Sequence, residues 1–268
     1  DARVYPSGKR ALEGMFRGEC EVALAADVPI MFAGLERSDF RVLATVGASG
    51  RELVAVARKS SGIASPRDLR GKRIATQENS ALHFFLHLLL MRHGLTQGEV
   101  QVKFLNPEDM PAALARGEID AATRREPFLS QAAALLGPDL LTMEEDGLYL
   151  KCLNLVARQE TVAERPTALS GVLRALLRAE QFARERQESA MAAAGDKLQI
   201  EPDALQHEWE AMDLRISLGQ DLLRALEDEA AWAVKDGRVN RRRLPNYLEL
   251  IHWTSLEELK PDAVTLVH

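Results

Sequence analysis

The stretch FRGECEVALAADVPIMFAG (residues 16–34) is echoed by ARGEIDAATRREPFLSQAA (residues 115–133). Each copy follows an amphipathic pattern, reaches Arg-Gly-Glu, passes through a short apolar run opened by an acid, and meets a proline where a new helical pattern begins. Arg17, Gly18, Glu19 and Glu21 stand beside Arg116, Gly117, Glu118 and Asp120, with Pro29 and Pro127 one register apart. A glycine just past a helix takes the left-handed cap without a Cβ penalty, and proline suits the first turn of the next helix. The predicted unit is therefore helix, glycine cap, strand, tight turn, helix. Its spacing is too long for a solenoid, so the echo points to two similar α/β lobes.

Outward from this unit, strands are expected over 3–5, 20–25, 41–45, 53–58, 73–76, 101–105 and 119–123, and helices over 9–16, 29–34, 81–93, 107–116 and 127–136. Such alternation predicts mainly parallel sheets flanked by helices. From about residue 161 the pattern changes to long helices, closed near Gly237, so a helical C-terminal tail is expected to follow the α/β body.

Composition sets the outer bounds. With 268 residues, 46% hydrophobic and 28% charged, the chain has ample sequence for a real core. A formal charge of -6 argues against a nucleic-acid scaffold, and the run Arg241, Arg242, Arg243 reads as a solvated turn. No apolar run approaches the ~20 residues that span a bilayer; ALHFFLHLLLM is short and broken by histidines. The chain starts at Asp1 inside an expected strand, so an upstream segment, signal included, is expected to have preceded it. Cys20 and Cys152 form no CxxC pair and sit among apolar neighbours, which favours buried free thiols over the alternative of a bridge or a reactive thiol.

In open α/β sheets ligands settle beyond the carboxyl ends of the strands, where helix amino termini present unpaired N–H groups. The candidate turns are Ala26, Asp27 and Val28 in the first copy and Arg125 and Glu126 in the second. A third turn precedes residues 81–93, where Asn79 or Ser80 caps the helix and the amides of Ser80, Ala81 and Leu82 suit an anion. Helix capping alone is the competing reading of each turn. The absence of GxGxxG and of a GKS or GKT segment removes support for nucleotide sites. His83 and His87 have the i, i+4 spacing of zinc ligands, but neither an HExxH glutamate nor a third ligand accompanies them. No metal or cofactor is expected.

Three longer stretches carry a resemblance: YPSGKRALEGMFRGECEVALAADVPIMFAG, then SSGIASPRDLRGKRIATQENSALHFFLHLLLMRHGLT, then ALARGEIDAATRREPF. Together with the closing helices and the ending LKPDAVTLV, they resemble the solute-binding proteins of the nitrate, sulfonate and taurine class of ABC importers, whose relatives bind thiamine precursors. The most specific element is GIASPRDLRGKRIAT. The resemblance implies a two-lobed clamshell of the type II periplasmic-binding-protein fold, periplasmic or lipid-anchored, monomeric, and working with a membrane permease. It implies lobe 1 from 1–56 plus 157–268 and lobe 2 from 57–156, with crossing strands near 54–59 and 153–158. It also implies that a first strand and helix should precede residue 3. Carried over by position, Ser7 and Gly8 fall in the turn before the first helix, Asp27 to Pro29 in the turn after the first strand, Asn79 to Ala81 in the anion turn, and Arg125 to Pro127 in the x-Glu-Pro turn. His83 belongs to that anion-turn set, and Cys152 and Asn154 lie where the chain returns toward lobe 1.

Three functions follow in order. The first is a receptor for a small organic anion or zwitterion, with Arg125 and the Asn79 turn for acidic groups and Asp27 or Glu126 for an amine or hydroxyl. The alternative is the same module as the periplasmic ligand-sensing domain of a membrane-bound histidine kinase or cyclase. An enzyme is the weakest reading, since neither GxSxG nor a supported Cys-His pair is visible.

Overall fold

The computed structural model describes residues 2–198, 202–239 and 244–267. The arginine run 241–243 lies outside the described residues. The chain divides into two compact units: Asp1–Ala48, Lys151–Ala192 and Asp213–His268 form the first, Ser49–Leu150 and Ala193–Met212 the second.

Unit 1 begins with α1 (Gly8–Phe16), β1 (Val22–Ala26), α2 (Asp27–Glu36) and β2 (Phe40–Ser49). In unit 2 follow β3 (Val54–Arg58), β4 (Arg73–Thr76), α3 (Ala81–Arg92), β5 (Gln101–Phe104), α4 (Met110–Ala115), β6 (Ala121–Arg124), α5 (Phe128–Leu136) and β7 (Leu140–Met143). The chain then runs through β8 (Lys151–Arg158), α6 (Gln159–Glu164), α7 (Pro166–Glu185), α8 (Gln187–Leu198), α9 (Pro202–Ala211), α10 (Gln220–Lys235) and α11 (Thr254–Glu257). The expected strand over 3–5 is absent; those residues are irregular and Val4 is 84% exposed, so nothing apolar holds them in a sheet. The strand β7 has no counterpart among the expected strands.

The echo is structural. Gly18 and Gly117 have φ of 79° and 74°. Gly18 N–H donates to Met15 O and Glu19 N–H to Gly14 O, both at 3.0 Å; Gly117 N–H donates to Leu114 O at 3.1 Å and Glu118 N–H to Ala113 O at 3.0 Å. These bonds consume the carbonyls a helix end leaves unpaired. Arg17 Nε meets Glu19 Oε1 and Arg116 Nε meets Glu118 Oε1, each at 2.7 Å. The acids one turn on then diverge. Glu21 reaches out to Arg165 on the surface, whereas Asp120 turns inward to Arg73.

The α/β class expected from the sequence holds, and both parallel and antiparallel strand pairs occur within it. Unit 1 has the order β1-β8-β2, with β8 antiparallel to β1 and Ala25 opposite Asn154. Unit 2 has the order β5-β4-β6-β3-β7, in which β4 runs parallel to β5 and β6, while β3 runs antiparallel to β6 and β7. Parallel neighbours need a crossover of a dozen or more residues. The helices α3, α4 and α5 lie in the loops between β4, β5, β6 and β7, whereas β3 enters its sheet directly after the segment 50–53.

The core of unit 2 lies between α4 and the sheet, where Met110, Ala113 and Leu114 meet Val54, Val56, Ala75 and Ala122. In unit 1, Phe32 of α2 meets Trp232 of α10 edge-on at 6.0 Å, and Tyr247 donates from its hydroxyl to Met31 O at 3.0 Å. A Cβ on Gly34 would lie 2.8 Å from Leu250 and Tyr247 side-chain carbons, so only glycine allows this approach. The tail returns to β2 through isolated bridges from Asp213, Ser217 and Ile251 to Ala48, Thr45 and Val42. Residues 193–212, expected in lobe 1, group instead with unit 2, where Arg51 Nη2 donates to Glu210 O at 2.9 Å. Among the described residues, no helix is long and apolar enough to cross a membrane.

Candidate functional site

In unit 1 the strand end of β1 gathers Ser7, Gly8, Asp27, Cys152 and Asn154. Ser7 caps α1 by accepting from Arg10 N–H at 3.3 Å. A Cβ on Gly8 would stand 3.0 Å from Ala25 Cα, which holds the α1 start against β1. Asp27 is fully buried; Oδ1 accepts from Val28 N–H at 3.0 Å and Oδ2 from Cys152 N–H at 2.9 Å. Asn154 Oδ1 accepts from the Thr45 hydroxyl at 2.7 Å, and Nδ2 donates to Cys152 O at 3.2 Å. Val28 and Pro29 are buried in α2. The sequence casts Asp27 as a solute acceptor. In the structure each of its oxygens accepts from a backbone amide, which ties the α2 start to β8.

The Cys152 thiol is pushed well above its ordinary range, first by burial and then by the charges of Asp27, Asp221 and Glu229. Thiolate chemistry is correspondingly suppressed. Cys20 is half-buried, and both thiols are free.

In unit 2 the ends of the parallel strands β4, β5 and β6 lie side by side. Thr76, the last residue of β4, accepts at its hydroxyl from the hydroxyl of Thr123, the next to last of β6, at 2.8 Å. Past Thr76, Asn79 takes the left-handed region at φ 52°, and its N–H donates to His83 Nδ1 at 3.3 Å. Ser80 is the residue before α3, but its hydroxyl donates back to Gln77 O at 2.6 Å, so Ser80 does not cap the helix with its side chain. Its start at Ala81 is left to attract an anion by its amides and dipole. His83 is fully buried and meets Phe104 edge-on at 5.1 Å, while His87 stacks on Phe84. Among the described residues no group of three or more His, Cys, Asp or Glu is placed to hold a metal.

Arg125 and Glu126 also belong to unit 2. Arg125 is half-buried and donates from Nη1 to Glu126 O at 3.2 Å. Glu126 accepts from the Ser130 hydroxyl at 2.9 Å and its N–H at 3.2 Å, which is a helix-capping role for α5. The candidate residues from sequence omit Arg124, which is 1% exposed. Burial pushes its guanidinium pKa down to about 9, still protonated at neutral pH. Its position was legible through alternation: two residues past core-facing Ala122, it shares that face of β6.

Two α/β units whose strand ends carry helix-start turns define a binding-protein fold. The chain belongs to the NMT1/THI5 like family, which matches residues 6–190. It is 28% identical over 189 residues to a protein of Escherichia coli (strain K12) named "Putative aliphatic sulfonates-binding protein", covering 70% of this chain and 59% of that one. It is 30% identical over 122 residues to the taurine-binding periplasmic protein of the same organism, covering 46% of this chain and 38% of that one. The chain thus spans about 59% and 38% of the lengths of these relatives. The fold is that of the alkanesulfonate-binding protein SsuA from Xanthomonas axonopodis pv. citri, with a TM-score of 0.81 at 20% identity over 93% of this chain and 86% of that one.

Proposed function

We propose that this protein is the solute-binding component of an ABC importer and takes a small organic anion or zwitterion of the sulfonate, taurine, nitrate or thiamine-precursor class. The observation that carries the reading is the start of α3 at the carboxyl end of β4, which the Ser80 side chain leaves open, in a chain of this family. A sulfonate fits such a site because it carries its charge at every working pH and offers three acceptor oxygens to backbone amides. Binding without catalysis agrees with the suppressed Cys152 thiol. Periplasmic residence and a membrane permease partner follow from the same reading. None of the relatives named above is a kinase or cyclase, so the sensing alternative gains nothing.

Calorimetric titration of the protein with ethanesulfonate, taurine, nitrate and a thiamine-pyrimidine precursor tests this. One of them is expected to bind at a single site and to raise the melting temperature, since saturation at a hundred times Kd adds about 2.7 kcal/mol. Absence of heat and of any thermal shift with all four would overturn the proposal.

A further inference from the structure

Arg124 closes β6 on the sheet face that α4 covers, opposite to Thr123, whose hydroxyl meets Thr76 on the other face. Its Nη1 donates to Pro107 O, in the turn after β5, at 3.1 Å. Among the described residues its Nε and Nη2 have no acceptor, although both atoms are buried. These two N–H groups form the side-on edge of the guanidinium, the fork that matches two oxygens of one carboxylate, sulfonate or phosphate. Burial acts on its protonation, and among the described residues no carboxylate offsets it. A buried cation with two unfilled donors is costly, whereas a buried and hydrogen-bonded pair is tolerated. Asp120, the buried acid at the other end of β6, is already taken by Arg73.

We propose that the Nε and Nη2 edge of Arg124 is an oxyanion subsite of unit 2, separate from the α3 start, that receives two oxygens of a carboxylate, sulfonate or phosphate. Pro107 is buried, while Asn106, Glu108 and Asp109 beside it are exposed. The anion comes either as the head group of the solute, in which case the subsite extends the solute-binding reading, or as a free inorganic ion.

The test compares the wild-type protein, Arg124→Met and Arg124→Lys in calorimetric titrations with ethanesulfonate, inorganic sulfate and inorganic phosphate. Methionine keeps the apolar stem and lysine keeps the charge without the fork. Both variants are expected to weaken at least one anion, Arg124→Met by about 100-fold. Loss of ethanesulfonate identifies the head group as the occupant, and loss confined to sulfate or phosphate identifies a free ion. Arg124→Met binding all three as the wild type does overturns the subsite, as does a wild type that binds none. Ethanesulfonate binding that is untouched in Arg124→Met, with no other anion lost, overturns the subsite and leaves the solute-binding reading standing. Arg124-dependent sulfate binding without any ethanesulfonate or taurine binding does the reverse. If Arg124→Met fails to fold, the Nε–H resonance of Arg124 in the wild type decides: a shift on adding the anion supports the subsite, and an unmoved resonance overturns it.

Discussion

A Cβ built on Gly117 would stand 3.1 Å from Nη1 of Arg58, and one on Gly18 would stand 3.3 Å from Nη1 of Arg158. Arg58 ends β3 and Arg158 ends β8, so in each unit a strand-ending arginine lies over the glycine that caps the preceding helix. The left-handed backbone and the close guanidinium both select against a side chain. Gly71 shares the conformation, with φ 74°, but a methyl group added there would have nothing within 4 Å. Gly71→Ala is therefore expected to lose about 1 kcal/mol through backbone strain alone. Gly117→Ala should lose that plus the displacement of Arg58, about 2 kcal/mol in all. Urea unfolding of both variants checks the order; equal losses would show that Arg58 yields freely.

Asp27 offers a second test, because its carboxylate joins the start of α2 to β8 in unit 1. Asp27→Ala leaves the buried Cys152 N–H without its acceptor and removes the bond to Val28 N–H. An unfilled buried amide costs about 1–3 kcal/mol. The expected result is a destabilised protein whose solute affinity, measured well below its melting temperature, changes little. An affinity collapse without destabilisation would return Asp27 to the role of solute acceptor.

The difference between those two roles marks how far the sequence carries. The element pattern was open to inspection: 73–76 is a strand to the residue, and the two glycine caps follow from Arg-Gly-Glu written twice. What the residues cannot announce is which neighbour claims a polar group. The bond from the Cys152 amide to Asp27 is hidden from the sequence because the two residues are far apart in it. Between adjacent arginines the choice turned on one residue of strand length. With β6 stopped at Thr123, Arg124 belongs to a turn; with β6 reaching Arg124, alternation buries it. The strand β7 escaped for a related reason, since its four residues directly follow the helical α5 pattern and Gly137, and only pairing with β3 makes them extended.

Asp120 sets an acid limit on unit 2. Its carboxyl is held below the usual range, first by hydrogen bonds from Arg73, Nη2 to Oδ1 at 2.7 Å and Nε to Oδ2 at 3.0 Å, with burial working against them. A depressed carboxyl pKa means that the unfolded chain takes up the proton first, so stability from this group is present above the unfolded value near 3.9 and is lost as pH falls through the folded one. Asp120→Asn should therefore be less stable than wild type at pH 7 by about 1–3 kcal/mol. The gap should narrow below about pH 4. Thermal unfolding from pH 7 to pH 3 measures it, and a gap constant over that range would show that the charge is not what Arg73 holds.

The start of α3 is testable without deleting a side chain. Ala81 is the first helical residue, where proline is tolerated because the N–H it lacks has no partner within the helix. Ser80 before it is extended, at φ -134° and ψ 170°, as a residue preceding proline prefers. Ala81→Pro thus removes one amide from the proposed anion turn while leaving the helix able to form. Because Ala81 is 8% exposed, the ring must fit a covered position, and a stability change of about 1 kcal/mol is allowed for. The expected result is an ethanesulfonate affinity reduced about tenfold, in line with one charge-assisted hydrogen bond. Unchanged affinity in a folded Ala81→Pro protein would move the anion away from this turn, and would leave the buried edge of Arg124 and the guanidinium of Arg125 as the anion-binding candidates in unit 2.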